Sequence, residues 1–449
     1  MNATVRMPPG PRAPALLQTL GFVFGGRRWL TTCARRYGGA VSMRTVFDGG
    51  FVMLFDPALV REVFQGPHAQ LNAGEANALL GPMLGERSVL VLDGAEHMRH
   101  RRLMLPPFHG ERMRAYEQAV RDATDATVDA WPVGAAFPLR PGFQALTLQV
   151  IVQAVFGYAP GAEEAELRRR LAAMVEPIAA PRGMLGLFVL PRVGLDRSRK
   201  RFLLARAAVD ELLYAEIDRR RADPRLAERD DVFSALLLAH DEQGERLSAR
   251  EVRDELVTLL VAGHETTATG LAWTLDLLLH TPHALARARE RDPAYLDAVV
   301  KEALRLRPVI PAVGRVVRGE PFPLGPWLIP DGVEINPSIR VMHTLPELYP
   351  QPHAFRPERF LASDAPDTYT WLPFGGGTRR CLGASFAQME MRVALDRILE
   401  RADLRPASRR RDRAVFRAIT LAPRHGVRVL QTHPPRPAHK PANPQPIAA

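Results

Sequence analysis

A run of about 30 residues without proline, from Ser248 to Thr281, constrains the fold more than any other segment of the chain. Ser248 and Glu251 have the spacing of a capping box, in which each side chain satisfies a free backbone N–H group at a helix start. A helix of this length spans about 45–50 Å. Residues 256–272 are apolar on nearly every side, which predicts that the helix crosses the protein interior.

The rest of the chain is also mostly helical in pattern, with proline and glycine separating the helices between about Glu111 and Leu306. The first region with strand character is Ala40–Asp56, which contains the turn signal Asp48-Gly49-Gly50, and short runs between Pro308 and Pro373 predict further small strands and loops. The sequence therefore predicts a mainly α fold with a minor β region built from both ends of the chain. We expect one domain over residues 1–432 and a proline-rich, disordered tail over residues 433–449.

Composition and cysteine usage indicate a cytoplasmic protein. The 60 basic and 49 acidic residues give a formal charge of +11, which is compatible with a solvated surface or an acidic protein partner. The basic residues form no block interleaved with aromatics, so a dedicated nucleic-acid site is not expected. The two cysteines, Cys33 and Cys381, indicate a reducing compartment rather than a disulfide framework. Leu16–Leu30 is apolar but interrupted by glycine and arginine, too short to span a membrane.

Cys381 ends a glycine-rich loop that begins at Phe374, and a helical pattern begins at Ala384. Peptide dipoles at a helix start, together with Arg379 and Arg380, favour the thiolate form of a cysteine. Such a thiolate is suited to three roles: nucleophile, redox sensor or metal ligand.

Three further strings carry charged or hydroxyl groups in places where they need partners. Residues 262–267 put Glu265 and Thr266 in the middle of the apolar helix, where unpaired polar groups are costly. The alternative to a functional role is a structural one, in which the threonines bond to helix carbonyls and Glu265 pairs with an arginine. Glu302 and Arg305 share a helix face, and residues 356–360 add a proline-fixed loop with another arginine. Each string alone is weak evidence, since helical ion pairs are common.

In this order, the strings Ala-Gly-x-Glu-Thr, Glu-x-x-Arg, Pro-Glu-Arg-Phe and the cysteine loop resemble the cytochrome P-450 family of haem-thiolate monooxygenases. The loop matches the family pattern at each fixed position: Phe374, Gly377, Arg379, Cys381 and Gly383. The resemblance covers roughly Asp56 to Leu430, and the segment from Glu96 to Arg112 is most similar to soluble bacterial members that oxidise fatty acids, terpenoids and similar molecules.

The resemblance implies a triangular helical fold around a buried haem b, with Cys381 as the iron ligand. It assigns Glu265 and Thr266 to catalysis and Glu302, Arg305 and Arg359 to a structural charge cluster. The remaining residues that it places at the cofactor are His97, Arg101, Ala262, Arg315, Phe374, Arg379 and Gly383.

The function implied is a monomeric monooxygenase for a lipophilic substrate, using O2 and electrons from a separate ferredoxin or flavodoxin with its reductase. The substrate pocket would include Ser88–Leu90, the apolar segment Pro181–Val193, Val309–Val313 and the turn near Thr420. Pro181–Val193 is equally compatible with a lid or a plain connection. The alternatives are a peroxide-using or oxygen-independent haem-thiolate enzyme, which commonly lacks the acid–alcohol pair, a non-catalytic haem or ligand-binding protein, and a basic nucleic-acid-binding module.

Overall fold

The computed structural model of the protein describes residues 7–46, 49–108, 112–158, 161–179 and 196–437. The α-helices are α1 Ala15–Leu20, α2 Gly26–Tyr37, α3 Pro57–Gln65, α4 Ala73–Ala76, α5 Gly81–Leu84, α6 Gly94–Met104, α7 Arg112–Asp129, α8 Leu139–Phe156, α9 Ala162–Ala179, α10 Arg197–Arg221, α11 Val232–Leu238, α12 Ala249–Leu279, α13 Pro282–Ala288, α14 Pro293–Leu306, α15 Ile339–Met342 and α16 Ala384–Arg401. The strands are β1 Ala40–Met43, β2 Phe51–Leu54, β3 Leu71–Asn72, β4 Ala136–Pro138, β5 Arg315–Val317, β6 Phe322–Leu324, β7 Trp327–Ile329, β8 Glu334–Pro337, β9 Leu404–Pro406, β10 Ala414–Arg417, β11 Thr420–Pro423 and β12 Arg428–Gln431.

Helix α12 is the predicted central helix, and it is 31 residues long. The capping box is present: the Glu251 N–H donates to Ser248 Oγ at 3.2 Å, and the Ser248 N–H donates to Glu251 Oε2 at 2.7 Å. Side chains from Val252 to Leu260 and from Thr267 to Leu279 are buried on all sides of the helix. Helix α12 packs along α8 and also contacts α14 and α16, so it crosses the interior as predicted.

The starts of the next two helices follow their prolines. Asp292 caps α14 by accepting a hydrogen bond from the Ala294 N–H at 3.1 Å. Thr281 directly precedes α13, but its hydroxyl does not cap that helix. It donates instead to the Leu277 carbonyl at 2.8 Å, so Pro282 alone sets the start of α13.

The β region combines both ends of the chain, as predicted. The order of the five-stranded sheet is β1-β2-β8-β5-β3, in which β2 and β8 are parallel and the other pairs are antiparallel. In a three-stranded sheet, β12 lies between β4 and β9. Strands β1 and β2 pair as expected, although the turn residue Asp48 lies outside the described residues.

The fold is therefore mainly α with small β-sheets, and its largest apolar cluster surrounds α8, α12, α14 and α16. Among the helices in the described ranges, none is long and apolar enough to cross a membrane. Cys33 and Cys381 are both free thiols. Pro181–Val193 and residues 438–449 of the predicted tail lie outside the described residues.

Candidate active site

The loop that carries Cys381 is held against α3 by close backbone packing. The Cys381 N–H donates to the Phe374 carbonyl at 3.0 Å, and Gly383 is the N-cap of α16. Gly377 has a φ of 64°, and a side chain there would collide with the carbonyl of Phe64. The glycines thus allow α3 to fix the loop, and with it the position of the cysteine.

The Cys381 side chain is exposed, although protein atoms surround it closely. Burial raises the pKa of the thiol above its ordinary value, and the opposing effects of the Gly383 N–H, Arg101 and Arg380 are smaller. The Gly383 N–H at the helix start and the nearby Arg101 and Arg380 therefore favour the thiolate, while burial opposes them. A thiolate here needs a stronger positive partner, and a bound metal ion is such a partner.

Four cationic or titratable groups from three parts of the fold converge near this cysteine. They are His97 and Arg101 from α6, Arg315 from β5 and Arg379 from the cysteine loop. Burial and then the charges of Arg379, Arg101 and Arg315 lower the pKa of His97 to about 3. Burial likewise lowers the pKa of Arg315 and of Arg379 to about 10.

The protein balances this positive charge incompletely. Arg379 pairs with Asp93 and also donates to the carbonyls of Val89 and Leu92. Arg315 donates to the Gly314 carbonyl at 2.7 Å, and in the described ranges neither Arg101 nor Arg315 has a carboxylate ion-pair partner. Partly buried arginines without carboxylates indicate a site for an anionic ligand.

One face of the middle of α12 is open, and another face packs against a neighbouring helix. Ala262 is exposed, and Thr266 Oγ1 donates to the Ala262 carbonyl at 2.6 Å, which is the local bond expected for a helical threonine. A side chain at Gly263 would lie 3.1 Å from Ile151 of α8. Helix α8 therefore fills the space beside Gly263, whereas the exposed Ala262 borders open space.

Glu265 is tied to α8 by residues that the sequence analysis missed. Arg140 forms an ion pair with one carboxylate oxygen, and Gln144 Nε2 donates to the other at 2.6 Å. The hydroxyl of Thr269 adds a bond at 3.4 Å. The available signal was the presence of Arg140 and Gln144 in a helix that otherwise buries apolar side chains such as Leu139 and Phe143.

Glu302, Arg305 and Arg359 meet in a buried cluster. Arg305 donates to both carboxylate oxygens of Glu302, at 2.6 and 2.8 Å, and neither side chain is exposed. Arg359 Nε donates to Glu302 Oε1 at 3.2 Å. Arg305 also donates to the backbone carbonyls of His343, Pro352 and Ala354. The cluster therefore joins α14 to the loops that follow α15.

Comparison with known proteins identifies the family. The family model "Cytochrome P450" matches residues 7–426. The chain belongs to the cytochrome P-450 family. It is 40% identical over 438 residues to "Putative cytochrome P450 135B1" of Mycobacterium bovis, covering 95% of this chain and 92% of the relative. It is 38% identical over 433 residues to "Putative cytochrome P450 137" of Mycobacterium tuberculosis, covering 94% and 90%.

Solved structures agree on the fold of this cytochrome P-450. The structure titled "Retinoic acid bound cyanobacterial CYP120A1" superposes with a TM-score of 0.81 at 23% identity, covering 95% of this chain and 99% of that one. The structure titled "Crystal structure of cytochrome P450DA heme domain" gives 0.80 at 23% identity, covering 95% and 98%.

Cytochromes P-450 bind haem b and are monooxygenases, and this chain is therefore a haem-dependent monooxygenase. Haem b presents one iron and two carboxylates. The thiol of Cys381 and the incompletely balanced arginines Arg101 and Arg315 fit those two requirements.

A second buried charge cluster, also missed from the sequence, ties α6 of this cytochrome P-450 to α12. His100 Nδ1 lies 2.6 Å from Glu255 Oε1, which also accepts from the Val89 N–H at 2.8 Å. Burial raises the pKa of Glu255 to about 7, against the smaller effect of His100. Burial alone would lower the pKa of His100, but Glu255 and Glu251 raise it overall. The cluster holds the segment around Val89 on the central helix.

Proposed function

We propose that this cytochrome P-450 inserts one oxygen atom of O2 into a lipophilic substrate, such as a fatty acid or terpenoid, with electrons from a separate ferredoxin or flavodoxin and its reductase. For a hydroxylation, the substrate C–H bond, O2, two electrons and two protons give an alcohol and water. Bound haem b supplies the oxygen activation. The protein's own residues would hold the cofactor, shape the pocket and deliver protons.

The observation that carries the proposal is the convergence of His97, Arg101, Arg315 and Arg379 beside a cysteine that faces open space. In the proposed arrangement the Cys381 sulfur would ligate the iron, and the Gly383 N–H hydrogen bond to the sulfur would tune its basicity. The basic groups would bind the two haem carboxylates. Phe374 packs edge-to-face on Trp371, with ring centroids 6.0 Å apart, and would shield the sulfur from water.

Glu265 and Thr266 would hold and move protons on the opposite side of the pocket. Arg140 and Gln144 fix the two oxygens of Glu265, so the carboxylate has a defined orientation at the middle of α12. The Thr266 hydroxyl is bound to the Ala262 carbonyl and retains acceptor capacity toward the open space.

The segments expected to line the substrate pocket are hydrogen-bonded to α12 or to each other, and their composition supports the proposed substrate preference. Ser88 Oγ is 2.6 Å from the Thr258 hydroxyl, and the Leu421 N–H donates to the Val309 carbonyl at 2.8 Å. Trp273 Nε1 donates to the Leu421 carbonyl at 2.9 Å, which anchors the β10–β11 hairpin to α12. The apolar residues that these segments carry favour a lipophilic molecule.

The outer side of the cysteine loop supports the proposal of a separate redox partner. Arg380 is exposed there, and it borders a surface cavity of about 290 Å³ that is also lined by Phe374 and residues 375–377. Arg379, the other arginine of this part of the loop, instead contacts Val89, Leu92 and Asp93. An acidic partner suits the exposed arginine.

The test uses the purified protein loaded with haem. We expect the carbon monoxide complex of the reduced protein to show the strongly red-shifted absorption band of thiolate ligation, and Cys381→Ser to abolish it. Cys33→Ser, which removes the buried thiol elsewhere, is the matched control and should keep the band. A Cys381→Ser protein with an unchanged band would contradict the ligand assignment.

The substrate class and electron source need separate measurements. Fatty acids and terpenoids should displace water from the iron and shift the haem spectrum, whereas polar compounds of similar size should not. Product should form with a surrogate ferredoxin and reductase. Efficient turnover with peroxide alone, and none with the reductase system, would instead favour the peroxide-using alternative.

A further inference from the structure

The helical segment that begins α1 has its amphipathic pattern reversed. It comprises α1 and the π-helical turn Gly21–Gly25 that continues it. The large apolar side chains of this segment face outward and are between 43% and 81% exposed: Leu16, Leu17, Leu20, Val23 and Phe24. Their spacing places them on one side of a helix. We call this side the Leu16–Phe24 face.

Polar side chains hold the opposite side of the segment against the protein. Gln18 is buried; its Nε2 donates to the carbonyls of Pro11 and Ala13, and its Oε1 accepts from the Arg44 N–H at 3.0 Å. Thr19 Oγ1 is buried and accepts from the Val46 N–H at 3.0 Å. The helix cannot rotate its apolar side inward without breaking these bonds, so the outward face is a fixed feature of the fold.

The sequence on both sides of the Leu16–Phe24 face is basic and contains no acidic residue. Residues 7–46 contain six arginines and neither aspartate nor glutamate. Five of these arginines are exposed: Arg12, Arg28, Arg35, Arg36 and Arg44. Across the described ranges, none of the five forms an ion pair with a carboxylate. The five apolar side chains of the face are thus followed and preceded in the sequence by exposed arginines, which we call its basic border.

We propose that the Leu16–Phe24 face and its basic border are a docking surface for an anionic phospholipid bilayer, with the helical segment lying in the plane of the interface. An interfacial helix buries one apolar face in the lipid and gains affinity from basic residues beside it. A second copy of the chain is a poorer occupant, because a symmetric contact would bring the same arginines against each other. The absence of a membrane-spanning helix among the described residues is compatible with this peripheral mode. The proposal does not depend on the substrate or redox partner.

The experiment measures co-sedimentation of the full-length, haem-loaded protein with vesicles. One set is pure phosphatidylcholine, and in the other phosphatidylglycerol replaces about a third of the lipid. We expect partitioning to the anionic vesicles to exceed that to the neutral vesicles by about tenfold or more, and to fall when NaCl is raised to about 0.5 M. Equal or negligible binding to both vesicles would overturn the proposal.

Variants separate the apolar and charged contributions. The triple variant Leu16→Ser, Leu20→Ser, Phe24→Ser should lose vesicle binding by about tenfold or more, since it removes the inserted face. Its matched control replaces three exposed apolar residues elsewhere, Leu79→Ser, Val133→Ser and Leu361→Ser, and should bind like the parent. Arg12→Gln with Arg28→Gln should weaken binding about fivefold per residue, while Arg409→Gln with Arg410→Gln should not. Haem content checks that each variant is folded.

Two results would identify another occupant and overturn the lipid assignment. One is unchanged vesicle binding in the Leu16, Leu20 and Phe24 variant. The other is a parent protein that sediments as a dimer without lipid and becomes a monomer in that variant.

Discussion

The guanidinium of Arg140 and the carboxylate of Glu265 form an ion pair that joins the first turn of α8 to the middle of α12. The two side chains are 9% and 14% exposed, so the pair is largely shielded from solvent. Because Gln144 holds the second oxygen, the carboxylate is fixed rather than mobile. Its orientation beside Thr266 therefore depends on a helix that lies outside the family motifs.

Arg140→Leu should lower kcat by about tenfold or more, with a smaller change in KM, because it releases the carboxylate without altering the open face of Ala262. It should also lower stability by about 2–4 kcal/mol, since Glu265 keeps a poorly solvated charge. Arg140→Leu with Glu265→Gln should recover most of the stability but not kcat. Arg413→Leu, at an exposed position, is the control. A double variant that regains full turnover would show that the pair is only structural.

Arg305→Ala should reduce haem retention. The change leaves Glu302 buried without its bidentate partner and removes donors from three backbone carbonyls, at a cost of about 3–5 kcal/mol. The haem-to-protein ratio after gel filtration and the thermal midpoint measure the effect. Arg356→Ala removes a nearby exposed arginine and should change neither quantity. Normal haem content in Arg305→Ala would refute a role for the cluster in cofactor retention.

Two glycines of the cysteine loop separate backbone strain from close packing. Gly375 and Gly377 have φ values of 66° and 64°, but a side chain at Gly375 would meet nothing within 4 Å, whereas one at Gly377 would collide with the Phe64 carbonyl. Gly375→Ala should therefore cost about 1–2 kcal/mol from strain alone. Gly377→Ala should cost more and also lower haem content, because the loop must move away from α3. Equal thermal midpoints for the two variants would contradict this account.

The central helix and the family motifs could be predicted because their signals are local. The capping box at Ser248 and the proline at 282 fix the ends of α12 within a few residues of sequence. The partner of Glu265 could not be identified in this way. Arg140 lies 125 positions earlier, and the many arginines of the chain are equivalent until helix packing selects one.

The state of the Cys381 thiol illustrates the same division. The helix start and the neighbouring arginines are visible in the sequence, and they correctly indicate groups that lower its pKa. The burial that opposes these groups depends on how the folded chain packs around the loop, which no local pattern reports. Burial, the larger of the two effects on the thiol pKa, could therefore be recognised only from the folded structure.

The last prediction concerns acid stability and His343, which is completely buried. Its Nδ1 lies 3.1 Å from the Arg305 carbonyl, and the Leu372 N–H donates to its Nε2 at 2.8 Å. The neutral ring, with a proton on Nδ1, satisfies both contacts, whereas a second proton would oppose the Leu372 N–H. Burial, followed by the charge of Arg305, lowers the pKa of His343 to about 3.

The sign of the pH effect follows from that shift. An unfolded histidine has a pKa of about 6.5, so the unfolded chain binds a proton that the folded chain refuses. The stabilising contribution is complete above pH about 6.5 and falls by up to about 1.4 kcal/mol per unit as the pH drops toward 3. Urea unfolding between pH about 6.5 and 5 should show this loss before most carboxylates titrate.

His343→Gln keeps one donor and one acceptor, so its free energy of unfolding should depend on pH with a shallower slope. His283→Gln, at an exposed position, should match the parent. Identical slopes for the parent and His343→Gln would mean that this imidazole does not set the acid limit of the fold.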